Sequence, residues 1–568
     1  MLSTRTLGWT RPIRFLLPLA AALTVSACGG GGGSSPPPND PPPPPPTLTK
    51  QQLVDASRLT AAATFGMPYE AIEAIARQGH EAWLDAQFAL PPSLHRPLID
   101  DFVARREAGE FAAFENDIEF LIYFRRLAWW HTTVVAEDAL RQRVAFALSQ
   151  IFVVSDNVDS LTINPYALSD YYDTLQENAF GNFRDLLRDV SLHPAMGIYL
   201  SHLNNRRSNP ATNTFPDENY AREVMQLFSI GLFELDIDGT VQIDGNGLPV
   251  PTYSNDDIRE FAKVFTGLSF GGPGAFFGSQ TPNFVEPMRM FDDFHEPGEK
   301  RLLNGTVVPT GQTGDQDIEA AIDNLFNHPN VGPFIGKQLI QRLVTSNPSP
   351  AYIERVARAF NGDGGTPRGD MRTVIRAVLL DPEAQATPGS IANFGKLREP
   401  VLRYTALLRQ FNAESDDDFI ANLGYYLQFL TRQHPLSAPS VFNFYLPSHA
   451  PQGDIAAAGL VAPEFQILNS NTVVNFANIL DAVLFADFVT DAPEPFETVR
   501  LNFDDYIAIA GDVDELLERL DIVLTFGTLS DATRSAIRDA IEPFDDNNLR
   551  VRAAIYLIAV SADYTVRI

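Results

Sequence analysis

Four side chains carry the types needed for acid/base or metal-assisted chemistry: Glu218 and Glu223 in "FPDENYAREVMQLFSIG", His193 in "LHPAMG" and His295 in "DDFHEPG". A carboxylate can take a proton or ligate a divalent cation, and an imidazole can give a proton or hold the same ion. Together they would suit a hydrolase-like reaction. The competing expectation is a non-catalytic helical scaffold that binds a partner protein or an envelope polymer. Glu218 and Arg222 stand four apart, as do Asn219 and Glu223, so two polar stripes adjoin on one helix. Pro216 and Asp217 suit its start, with Glu218 in the first turn favoured by the helix dipole. Val224, Met225, Leu227, Phe228 and Ile230 wrap most of the circumference, so this helix is expected to be largely buried. Arg222 would then satisfy Glu218, leaving Glu223 in need of a partner.

Nine histidines are present, and His131 in "AWWHTT" and His202 join His193 and His295 as candidates. His193 and His202 are nine apart, which is about 900° around a continuous helix, so they would face opposite ways and not share an ion. Pro194 fits a first helical turn, which leaves His193 just outside the helix and able to turn toward a site. A packing or capping role is the ordinary one for a buried histidine. Asp236, Asp238, Asp244 and Asn246 offer oxygen ligands in "DIDGTVQIDGNG". Glycine follows the second acid at once and no terminal Glu stands at the required spacing, so plain turns are expected rather than a calcium loop. No Gly-x-Ser-x-Gly elbow, phosphate loop, dinucleotide glycine fingerprint or His-Glu-x-x-His pair occurs.

The elements that must position these groups are mainly helical. Apolar residues recur at three and four spacing from about residue 50 onward, and no fixed-period repeat is visible. The expected fold is mainly α: a large helical body with a small β-hairpin or loop insertion. The blocks are 50–235, then an insertion at 236–310 with one helix, then helical blocks at 311–480 and 481–568. In the insertion, alternation around Val241 and Ile243 beside turn residues at 244–247 reads as a hairpin.

The N-terminus states a location. Arg5, Arg11 and Arg14 precede "FLLPLAAALTV" and then "VSAC", the arrangement of a lipoprotein signal peptide over 1–27 with lipidation expected at Cys28, the sole cysteine. A Gly/Ser/Pro-rich tether follows over 28–49, flexible first and then a stiff polyproline spacer. The partner implied is therefore a membrane, reached through the acyl chains. Formal charge is −29, and removing three arginines with residues 1–27 makes the mature chain −32, which argues against a nucleic-acid partner. Gly29 after Cys28 resembles the sorting pattern of lipoproteins destined for the outer membrane.

Seven segments in one order carry a family resemblance: "HPAMGIYLSHLNN", "DENYAREVMQLFSIG", "DDIREFAKVFTGLSF", "FHEPGEKRLL", "HPNVGPFIGKQLIQRLV", "RGDMRTVIRAVLLDPEA" and "GKLREPVLRY". From about residue 55 to the C-terminus the chain resembles the bacterial family catalogued as domain of unknown function 1800. The resemblance implies an exported, mainly helical protein without an agreed activity. It also implies a secreted sulfatase-like protein encoded nearby as a candidate partner. Any cofactor stays open, a divalent metal being the candidate.

Overall fold

Helix starts follow local chemistry. Thr49 with Gln52, Ser254 with Asp257 and Thr313 with Gln316 form reciprocal capping boxes. Proline occupies the first turn of the helices Pro165–Glu177, Pro194–Tyr199, Pro350–Asn361 and Pro400–Gln410, where its missing N–H costs nothing. The computed structural model describes residues 47–111, 117–278, 282–421, 425–487 and 496–568. Cys28, the signal segment and all but the end of the tether lie outside the described residues. The fold is mainly α; the strands described are three two-residue antiparallel pairs, Leu268–Ser269 with Arg289–Met290, Lys300–Arg301 with Val307–Val308, and Lys396–Leu397 with Val566–Arg567. No described helix is long and apolar enough to cross a membrane.

The body Leu48–Ile568 is built around a core that runs continuously from Leu53 to Tyr564. Aromatic rings fill much of it: Trp129 and Trp130 meet edge-on at 4.9 Å, and Phe65 lies across Trp129 at 5.8 Å. The last strand pair joins Arg567 to Lys396 across the chain, while the Ser57 hydroxyl donates to Ile522 O and Arg58 donates to Ile568 O. The first helix, Lys50–Ala63, is thereby tied to the C-terminal segment. Close approach here depends on Gly66, whose φ is +121° and whose Cβ, if present, would lie 2.9 Å from Ala406 Cα.

In the insertion, single bridges pair Phe233 with Pro251, Leu235 with Val241, and Ile243 with Pro249, all antiparallel. Glu234 N–H donates to Val250 O, Val250 N–H to Gln242 O and Gln242 N–H to Glu234 O. Three short ladders therefore meet at a closed ring of backbone hydrogen bonds. The two outer turns are set by aspartates: Asp238 accepts from Thr240 N–H, and Asp244 from Asn246 and Leu248 N–H.

Candidate active site

The residues expected to act together bond to different partners in the structure. The helix carrying Glu223 runs only from Asn219 to Gln226, and Glu218 stands just before it. Glu218 and Arg222 are 3.9 Å apart and both half-exposed, so the expected buried pair is a surface pair. The reason is a change of chain direction after Gln226. Ile230 N–H donates to Met225 O and the Ser229 hydroxyl to Val224 O, so Phe228 and Ile230 reach the core from a turn rather than from around the helix. Glu223 is buried as expected, and its Oε2 accepts no hydrogen bond among the described residues. Burial pushes its carboxyl up, with Arg222 opposing. Burial, and then the nearby charge of Glu223, push the Tyr199 phenol up to about 12.

His295 belongs to a different, sealed network. Its Nδ1 lies 2.9 Å from Thr266 O and its Nε2 2.9 Å from Asp317 Oδ2. Lys300 bonds the same carboxylate oxygen and donates to Glu296 O and Gly298 O. All three side chains are buried, so this cluster fixes the irregular 271–305 region to the helix Gly314–Phe326. His131 and His202 are packing residues. His131 stacks on Phe419 at 4.3 Å and accepts from Ile420 N–H, and His202 stacks on Tyr220 at 3.9 Å and donates to Ser191 O.

His193 lines a cleft of about 370 Å³. It ends the helix Phe183–Leu192 and caps the helix Pro194–Tyr199, its Nδ1 accepting from Ala195 N–H at 3.1 Å. That bond leaves the ring proton on Nε2, which donates to Asp170 Oδ2 at 3.3 Å. Burial lowers the imidazole from its ordinary value, with Asp170 opposing, so His193 is neutral at pH 7. The helix Pro165–Glu177 lays Asp170, Asp173, Thr174 and Glu177 along one side of the cleft, the spacing of a single helical stripe. Arg188 and Asp189 come from the helix before His193, and Arg96 Nη1 reaches within 3.5 Å of Asp170 Oδ1.

The carboxyls of this stripe sit in different surroundings. Asp173 accepts from His95 and Arg96 N–H at 2.8 and 2.9 Å, anchoring the start of the helix Arg96–Glu107. Burial nevertheless pushes its carboxyl up to about 8, against the pull of those two amides. Glu177 is exposed to the cleft and raised by partial burial and then by Asp170 and Asp189. Asp170 instead receives the imidazole N–H and faces a guanidinium, partners suited to a carboxylate. One wall thus holds Asp170, bonded to an imidazole and facing a guanidinium, beside two carboxyls, Asp173 and Glu177, that burial raises. Among the described residues no three His, Cys, Asp or Glu side chains converge as metal ligands.

A family model described as a protein of unknown function (DUF1800) matches residues 58–566. The chain belongs to this family. No curated protein and no solved structure matches it. In this DUF1800 protein the quoted segments divide by task. "HPAMG" delivers His193 to the cleft, "DENYAREVM" forms the Glu223 helix, and "FHEPGEKRLL" supplies the His295 and Lys300 that bond Asp317 of the later helix. "GKLREPVLRY" carries Lys396, Arg398, Glu399 and Arg403 into the interior. In this DUF1800 protein Asp170, Asp173, Glu177, Arg96 and Arg188 line the cleft without having stood out in the sequence. A signal existed in "YALSDYYDTLQE", where three acids fall on one helical stripe.

Proposed function

We propose that this protein is a lipid-anchored cell-envelope enzyme that performs hydrolase-like acid/base chemistry in the His193 cleft. One observation carries the reading: Asp170, at the wall of an open cleft, is held by the neutral imidazole of His193 while the raised carboxyl of Glu177 shares the same wall. Asp170 takes a proton from water as the water adds to the substrate, and Glu177 gives a proton to the leaving group. His193 is a positioning residue, since both ring nitrogens are engaged in holding the helix start and Asp170. Arg96 and Arg188 bind substrate oxygens from the two flanking helices. Glu218, Glu223 and His295 take no part in this reaction.

The test is turnover of a panel of chromogenic esters, glycosides and phosphomonoesters by the purified protein. Asp170→Asn should lower kcat by about 10²-fold or more, and Glu223→Gln should leave it unchanged. Absence of turnover across the panel, or equal rates with Asp170→Asn, overturns the proposal. A scaffold reading draws on a separate observation, the exposed Leu232, Phe233, Val241, Ile243 and Leu248 of the three-ladder insertion. It predicts that Asp170→Asn complements a deletion strain as well as the wild type does.

A further inference from the structure

A second cavity, of about 20 Å³, lies between the first helix, the helix Ala139–Ser149 and the C-terminal strand pair. Its lining includes Arg143, Lys396, Arg398 and Arg567 and no carboxylate. All four cations are buried, Arg143 at 1% exposure. Lys396 pairs with Glu464. Arg398 donates to Leu524 O and Tyr564 O, and Arg567 donates to Leu343 O and Val344 O. Arg143 donates to Arg342 O through Nη2, but its Nε and Nη1 have no partner among the described residues.

The local charge does not balance. Arg342, donating to Gln150 O and Gln338 O, is a fifth buried cation beside the cavity's four. The carboxylates nearby are Glu464, on Lys396, and Glu399, which accepts from Gln150, Gln433 and Tyr445. Buried cations in such excess repel one another through a medium that screens them poorly. Arg567 registers this: burial, then Arg58, Arg143 and Arg398, bring its guanidinium down to about 9. A buried excess of positive charge, with two guanidinium donors unused, calls for an opposite charge rather than a neutral water.

We propose that this cavity binds one chloride-sized monovalent anion, held by Arg143 Nε and Nη1 and neutralising Arg398 and Arg567. The volume selects the class, since about 20 Å³ accepts a single particle of roughly water size and not a phosphate or sulfate. The anion joins three separated parts of the chain and so anchors the C-terminal strand to the body.

Two experiments test the site. Thermal unfolding of the purified protein is compared in sodium chloride and sodium gluconate at equal ionic strength. Chloride should give a saturable rise in Tm of about 2 °C or more, and Arg143→Met should abolish it. Crystals soaked in sodium bromide should show an anomalous peak beside Arg143 Nη1. Equal Tm values in the two salts, a chloride effect that persists in Arg143→Met, or a cavity without anomalous scattering overturns the proposal. If Arg143→Met does not fold, the bromide peak in the wild type decides.

Discussion

Replacing His202 tests whether a buried neutral imidazole sets the acid limit of this fold. Burial brings the His202 ring down to about 4, with the Ser191 carbonyl opposing, whereas in the unfolded chain it titrates near 6.5. Between those values the unfolded state binds the extra proton and the native state does not. The contribution of His202 is therefore complete above about pH 6.5 and is lost as pH falls toward 4. At about 1.4 kcal/mol per pH unit the interval is worth about 3 kcal/mol. His202→Gln keeps a side-chain donor for Ser191 O and cannot titrate. Urea unfolding of both proteins at pH 7.5 and pH 4.5 measures the difference. The wild type should lose most of that ~3 kcal/mol more than the variant. His95, brought down to about 3, and His131, to about 4, are neutral through burial too and lower both proteins alike. Identical pH dependence in the two proteins would refute the reasoning.

Three further outcomes follow from separate features. Tyr445→Phe removes the hydroxyl that donates to Glu399 Oε2 at 2.6 Å, and denaturant titration should register a loss of about 1.5–3 kcal/mol. Gly66→Ala combines a left-handed backbone with a backbone collision at Ala406, so its Tm should fall by an amount equivalent to roughly 2 kcal/mol, and an unchanged Tm would contradict the close approach. Cys28→Ser should move the protein from the membrane fraction to the soluble fraction on cell fractionation, and continued tight membrane association would contradict lipid anchoring.

Helical periodicity and proline placement made the mainly α fold legible, because each acts within a few residues. The turns at Asp238 and Asp244 were legible for the same reason. His193 as a cap outside the Pro194 turn was legible too, since proline at a first turn fixes what precedes it. The companion of His193 was not. Asp170 lies 23 residues earlier on another helix, and the choice between Asp170 and Glu223 rests on how two helices cross. Glu218 reads as buried in the sequence because Leu227, Phe228 and Ile230 continue the apolar pattern, whereas the helix ends at Gln226 and the backbone turns there. His295 misled in another way: its partners Asp317 and Lys300 become visible only when the loop folds back on a later helix.

The ring joining Glu234, Gln242 and Val250 bears on how the insertion behaves beside other molecules. Each ladder turns away after a few residues, and Pro249 and Pro251 remove two amides from one of its sides. No segment is long or straight enough to recruit an extra strand from another molecule. The insertion can therefore display Val241, Ile243 and Leu248 to its surroundings without the backbone template that nucleates fibrils.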